Sequence, residues 1–172
     1  AIINQLFYEG KLRTCHNILE NIETWPLEIK KPIGACLLID TADSDATCRM
    51  VGETRINDTH LEIIEEIINR SWFHEKIENG LEVGIITPYR GQSNKIKDLI
   101  RKTKLKNKVE ASTVHSFQGQ EKDVIILDLV DAPYKGECCV SFLNEYKNPQ
   151  VKDLIKVAIS RAKKKLVVIA HT

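Results

Sequence analysis

The sequence predicts an α/β fold, a mainly parallel sheet with helices on both faces. Residues 34–42 (GACLLIDTA), 81–89 (LEVGIITPY), 123–130 (DVIILDLV) and 166–170 (LVVIA) are compact apolar runs. That is the pattern of strands buried on both sides, not the alternation of a half-exposed sheet. Segments with helical spacing of apolar residues stand between them, so strand and helix alternate along the chain. At 172 residues, 42% hydrophobic and 28% charged, the chain can bury a core without disulfide or metal staples, and a single domain over residues 1–172 is expected.

Each element has its own signal. Residues 1–11 carry Ile2, Ile3, Leu6 and Phe7 at near-helical spacing before the Glu9-Gly10 stop, which predicts a short helix. The run 34–42 is the first strand. Over 59–70, Leu61, Ile64 and Ile68 fall on one helical face and Thr59 with Glu62 has the form of a capping box. The run 81–89 reads as a strand stopped by Pro88, and Ile96, Leu99 and Ile100 mark a helix after Gly91. Residues 109–115 and 123–130 are two further strands. A helix over 153–162 follows, with Leu154, Ile155, Ala158 and Ile159 as its apolar stripe, and 166–170 closes the chain as a strand. Residues 131–150, with Pro133, Gly136 and Pro149, form a long surface loop. In such a sheet ligands sit beyond the carboxyl ends of the strands, so function is expected there.

Net charge is +1, so nucleic-acid binding has to come from local patches. The five cysteines, Cys15, Cys36, Cys48, Cys138 and Cys139, contain no C-x-x-C pair, and no histidine completes a metal-ligand spacing. Reduced thiols in an intracellular protein, cytoplasmic with the nucleus as the alternative, and no metal bound by these residues are expected. No apolar stretch approaches the roughly eighteen residues of a membrane span. There is no signal peptide and the sequence opens at Ala1 inside a helical pattern, which predicts a fragment of a longer protein.

Residues 113–123, TVHSFQGQEKD, run from a strand end through a polar loop into an apolar strand. Gly119 lets the backbone approach a ligand, Thr113, His115 and Ser116 offer phosphate donors, and Glu121 can accept from a sugar hydroxyl. The competing reading is a connection whose polar residues only cap strands. In 85–92, IITPYRGQ, Thr87 and Tyr89 stand at the end of a buried strand; Tyr89 can stack a base or simply pack. In 157–170, VAISRAKKKLVVIA, a helix delivers Arg161 just before the last strand. Arg161 either stabilises a transferring phosphoryl group or, like Lys163, Lys164 and Lys165, solvates a helix end. Lys95, Lys97, Arg101, Lys102, Lys104, Lys106 and Lys108 either track a phosphodiester backbone or form a solvated helix face.

No G-x-x-x-x-G-K-[ST] phosphate loop occurs, and no acidic pair follows a strand in a way that would hold magnesium. Read in order, the segments resemble the superfamily 1 helicase branch that includes the nonsense-mediated-decay helicase, senataxin and the Dna2 helicase-nuclease. ITPYRGQ resembles that branch's motif IV, TVHSFQGQEKDVII its motif V and VAISRAKKKLVVI its motif VI. NQLFYEGKLR, residues 4–13, resembles the stretch shortly after the motif that precedes motif IV. The resemblance implies the second, C-terminal RecA-like domain, a P-loop-NTPase-type fold lacking its own Walker A motif. It implies Arg161 as arginine finger, Gly119, Gln120 and Glu121 at the nucleotide's phosphates and ribose, and Thr87, Tyr89, Thr113 and His115 toward a DNA or RNA single strand. ATP and Mg2+ would be bound mainly by an N-terminal RecA-like domain of the same chain, without which the fragment is expected to be inactive.

The sequence departs from the branch at Lys156, where an asparagine is common, and the 131–150 insertion with Cys138-Cys139 has no counterpart role. Two other classes compete: a catalytically inactive RecA-like module that binds nucleic acid or protein, and an unrelated doubly wound enzyme. The second would need a glycine fingerprint in the first strand–helix turn, and none is visible.

Overall fold

The computed structural model describes residues 36–171 apart from 43, 45, 106, 134–141 and 145. The helix predicted over 1–11, the 4–13 segment and Cys15, Cys138 and Cys139 lie outside the described residues. Five strands form one parallel sheet: β1 (Cys36–Asp40), β4 (Val83–Thr87), β5 (Val109–Thr113), β6 (Lys122–Asp128) and β7 (Ala162–Ala170), in the spatial order β1-β7-β6-β4-β5. A two-stranded antiparallel ribbon, β2 (Cys48–Val51) with β3 (Thr54–Asn57), turns on Gly52 at φ 61°.

The helices lie on both faces, as expected for apolar strands in a parallel sheet. On one face α1 (Asp58–Asn69), α2 (Ser71–Glu78) and α3 (Arg90–Arg101) bury Ile64, Ile68, Phe73, Ile77, Ile96 and Ile100 against Val83, Ile85, Val124, Ile126 and Ile169. On the other face α4 (Val151–Ser160) and the 114–121 connection bury Ala158 and Phe117 against Ile86, Ile125, Leu127 and Leu166. Burying each such side chain is worth about 1.5–3 kcal/mol, so these two clusters dominate the fold's stability.

The α1 start differs from the expected Thr59 capping box. Its N-cap is Asn57, whose side chain accepts from the His60 amide at 3.1 Å while its own amide group donates to the Val130 carbonyl at 3.0 Å. Because Asn57 ends β3, the ribbon and the helix share one residue, and tertiary bonding fixes the boundary two positions earlier than the local pattern. Arg49 on β2 donates to both Asp58 oxygens at 2.6 and 3.0 Å. Those hydrogen bonds hold the Asp58 carboxyl below its ordinary range.

β7 begins at Ala162, four residues ahead of the apolar run, so Lys163 to Lys165 are strand and not a helix end. Lys163 lies 3.8 Å from Glu82 and Lys164 3.5 Å from Asp123. Lys165, opposite Val124 in register, is buried, and loss of hydration pushes its ammonium pKa down.

Candidate functional site

β5 and β6 are parallel, so the chain must return to the amino end of the sheet between them, and it does so in the eight residues 114–121. Phe117 anchors this return: it is fully buried, and its ring sits where glycine alone leaves room, since a Cβ on Gly84 would lie 2.5 Å from Phe117 Cζ. Beyond Phe117 the chain turns at Gly119, φ 86°, a conformation that side chains resist. A Cβ built at Gly119 has no atom within 4 Å, so the backbone there is open to an approaching group.

That loop meets Arg161. The last turn of α4 carries the arginine to the start of β7, where its Nη1 donates to the Gln120 carbonyl at 3.4 Å and its own carbonyl accepts from the Lys122 amide at 3.0 Å. Nε donates to the Val157 carbonyl at 3.2 Å, and Nη2 donates to Ser160 Oγ at 2.9 Å. Among the described residues its side-chain partners are all neutral oxygens, and no carboxylate pairs with it. By contrast Lys122, Lys163 and Lys164 at the same end each face an acid. A half-buried guanidinium held by neutral acceptors keeps its charge available to an anion. Glu121 is exposed and Gln120 half-buried beside it.

The other predicted residues stand at the opposite end of the sheet, the length of β6 away, roughly 20 Å. Thr87 and Thr113 are register partners at the carboxyl ends of β4 and β5. Thr113 Oγ1 and Ser116 Oγ are 3.0 Å apart, and His115 is exposed. Tyr89 lines an open hollow of about 420 Å3 with Glu53, Thr54, Pro88, Arg90, Gly91 and Asn94. The half-buried Tyr89 packs against Cys48, Val130 and Ala132, and its hydroxyl donates to Asp131 Oδ1 at 2.6 Å. The expectation for Thr87 needs correcting: a central strand covered on both faces buries its side chain completely, so it cannot itself touch a strand laid over the sheet. Function is expected at the carboxyl ends of the strands, whereas the candidates Gly119, Gln120, Glu121 and Arg161 lie together at the amino end.

A buried polar network, absent from the sequence reading, builds the carboxyl end. Asp128, at the end of β6, accepts from Gln92 Nε2 at 2.7 Å and from the Val130 amide at 3.0 Å, and lies 2.7 Å from His60 Nδ1. His60 Nε2 is 3.1 Å from Thr41 Oγ1, and Gln92 Oε1 accepts from the Asn57 amide at 3.1 Å. Asp128, His60, Gln92 and Asn57 are fully buried. Val130, also fully buried, is held at φ 66°, rare for a β-branched residue. The network fastens β6, α1, β3 and the first turn of α3 together and so fixes where Tyr89 stands. The acid at the end of DVIILD and the glutamine closing PYRGQ were its visible signals.

Two other expectations resolve more modestly. Lys156 lies 3.1 Å from Asp153 one helical turn back. Of the basic stretch, Lys95, Arg101 and Lys102 border a hollow with Asp58, Leu61, Asp98 and Leu99, and Arg101 donates to Asp98 at 2.8 Å. Among the described residues no three His, Cys, Asp or Glu side chains cluster as a metal site, and no helix is long and apolar enough to cross a membrane.

A parallel sheet covered on both faces, carrying a glycine turn and an arginine at one end, defines the class: a RecA-like α/β domain. A family model described as an AAA domain matches residues 1–172. DNA polymerase alpha-associated DNA helicase A of Saccharomyces cerevisiae is 36% identical over 118 residues, covering 69% of this chain and 16% of that protein. Regulator of nonsense transcripts 1 homolog of Neurospora crassa is 28% identical over 178 residues, covering 98% and 15%. Helicase SEN1 of Saccharomyces cerevisiae is 23% identical over 172 residues, covering 96% and 7%. The chain belongs to the AAA domain family, within the superfamily 1 helicase branch. It spans less than a fifth of the length of these relatives.

Proposed function

We propose that this chain is the second RecA-like motor domain of an ATP-dependent superfamily 1 helicase or translocase. The observation that carries the reading is Arg161, a guanidinium held by neutral oxygens beside an open glycine turn. ATP supplies a phosphoryl group whose transfer to water develops negative charge, and Arg161 stabilises that charge from across the cleft. Gly119 and Gln120 bring backbone close to the phosphates, and Glu121 accepts from the ribose.

The donor set fits one side of a nucleotide only, since the sequence has no phosphate loop. The phosphate-loop lysine and the acids that hold Mg2+ therefore belong to an N-terminal RecA-like domain of the same protein. A single strand of DNA or RNA crosses the other end of the sheet, where Tyr89 stacks a base and Thr113 and His115 reach its phosphates; Thr87 supports this surface from below. In the full-length protein Arg161→Ala lowers strand-stimulated ATP turnover by about a hundredfold or more. Near-normal turnover removes Arg161 from this role and, with it, the main support for the motor reading.

A further inference from the structure

The two ends of the sheet are joined by a physical route whose middle, Asp131 to Val151, lies between the motifs that hold Tyr89 and Arg161. Tyr89 OH donates to Asp131 Oδ1 at 2.6 Å and accepts from the Phe142 amide at 2.9 Å, while Asp131 Oδ2 accepts from the Leu143 amide at 3.0 Å. The Phe142 carbonyl accepts from Asn148 Nδ2 at 3.2 Å, and the Asn148 carbonyl accepts from the Val151 amide at 3.0 Å, at the first residue of α4. Asp131 and Phe142 are buried, 2% and 7% exposed, and the side-chain bonds they make are part-buried, which limits the water that competes for them. From Val151 the helix runs ten residues, about 15 Å, back along the sheet and ends against Arg161. Ala158, Val157 and Leu154 pack it onto the sheet face.

We propose that Asp131 is a positioning residue that couples the strand-binding end to the arginine: with the Tyr89 hydroxyl it clasps the segment leading into α4. A base stacked on Tyr89 displaces or steadies that ring, the clasp passes the change to the start of α4, and α4 carries it to Arg161 at the other end. Asp131 touches neither strand nor nucleotide. The inference rests on the motor reading above.

The test uses the full-length protein, with ATP turnover measured against increasing concentrations of single-stranded oligonucleotide. Asp131→Asn keeps the shape and removes the charge of the acceptor. Couplings carried through such contacts are worth a few-fold to tens of fold, so maximal stimulation is expected to fall about fivefold. The strand concentration giving half-stimulation changes less than about twofold on this account, because the stacking ring is retained. Tyr89→Phe, which deletes one oxygen and keeps the ring, reproduces the result, and the double variant is no worse than either single change. This second variant carries the test if Asp131→Asn does not fold. Weaker strand affinity with full maximal stimulation would mean that Asp131 merely orients Tyr89, and overturns the proposal. Unchanged kinetics in both variants overturn it as well. If Arg161→Ala is itself silent, the motor reading has failed; if Arg161→Ala abolishes turnover while Asp131→Asn is normal, the coupling alone has failed.

Discussion

Replacing Gly84 with alanine tests how the 114–121 connection is held. The new Cβ would lie 2.5 Å from Phe117 Cζ, 2.9 Å from Ile125 Cδ1 and 3.2 Å from Lys122 Cγ. Reaching an ordinary carbon contact of about 3.5 Å requires the ring to withdraw by about 1 Å. Phe117 is fully buried, so the movement must be taken up by the connection or the sheet. Overpacking of this kind costs roughly 1–3 kcal/mol, offset by about 0.4–1 kcal/mol from the lower entropy of the unfolded alanine chain. The net expectation is a loss of up to about 2.5 kcal/mol. Denaturant unfolding measures it, and combining Gly84→Ala with Phe117→Leu isolates the contact, because the smaller side chain makes room. The pair should be at least about 1 kcal/mol more stable than the sum of the single changes predicts. Additive effects would show that Phe117 and Gly84 do not set each other's position. Because the same ring anchors the turn at Gly119, turnover in the full-length protein should fall with the single change and recover in the pair; misplacement of about 1 Å can cost up to a hundredfold in rate.

Asp128→Ala strands His60 Nδ1, Gln92 Nε2 and the Val130 amide without their buried acceptor. It should cost about 3–5 kcal/mol in denaturant unfolding, and a loss below about 1 kcal/mol would show the network to be incidental. Gly119→Ala meets no atom but must hold φ near 86°, so the expected cost of about 1–2 kcal/mol is backbone strain, and Gly119→Asn should cost less. Equal losses for the two would argue against a left-handed turn. Lys165 has its folded pKa depressed below 10.5 by burial, so between the folded value and 10.5 the unfolded chain binds more protons. Stability should therefore rise as pH climbs through that window, and Lys165→Met should flatten the rise; an unchanged slope in the variant places the titration elsewhere.

The central parallel strands β4 and β6 are legible in the sequence because strands buried on both faces leave apolar runs, as in Val83 to Ile86 and Val124 to Leu127. The β2–β3 ribbon is not, since CRMV and TRIN are only four residues each and mixed in polarity; the ribbon is specified by Gly52 and by long-range bonds such as Thr54 to Gly91. Helix α2 carries no sequence signal for a related reason: SWFHEKIE buries only Phe73 and Ile77, too short a stripe to show a period. Of the candidate site, residue types and order are visible in sequence, but which end of the sheet each occupies is not. That depends on how an eight-residue return crosses the sheet, a matter settled by Phe117 and Gly84, neither of which has any chemistry to advertise. The burial of Thr87 is likewise a consequence of strand order, which places β4 between β5 and β6.

The arginine's task distinguishes a transition state from a ground state, so the most direct measurement compares the full-length protein's affinity for ADP with its affinity for ADP plus aluminium fluoride, a mimic of the transferring phosphoryl group. For Arg161→Ala the affinity for the mimic should drop by roughly a hundredfold or more while that for ADP alone changes little. An equal change in both, or none in either, would contradict an arginine that acts on the transferring group.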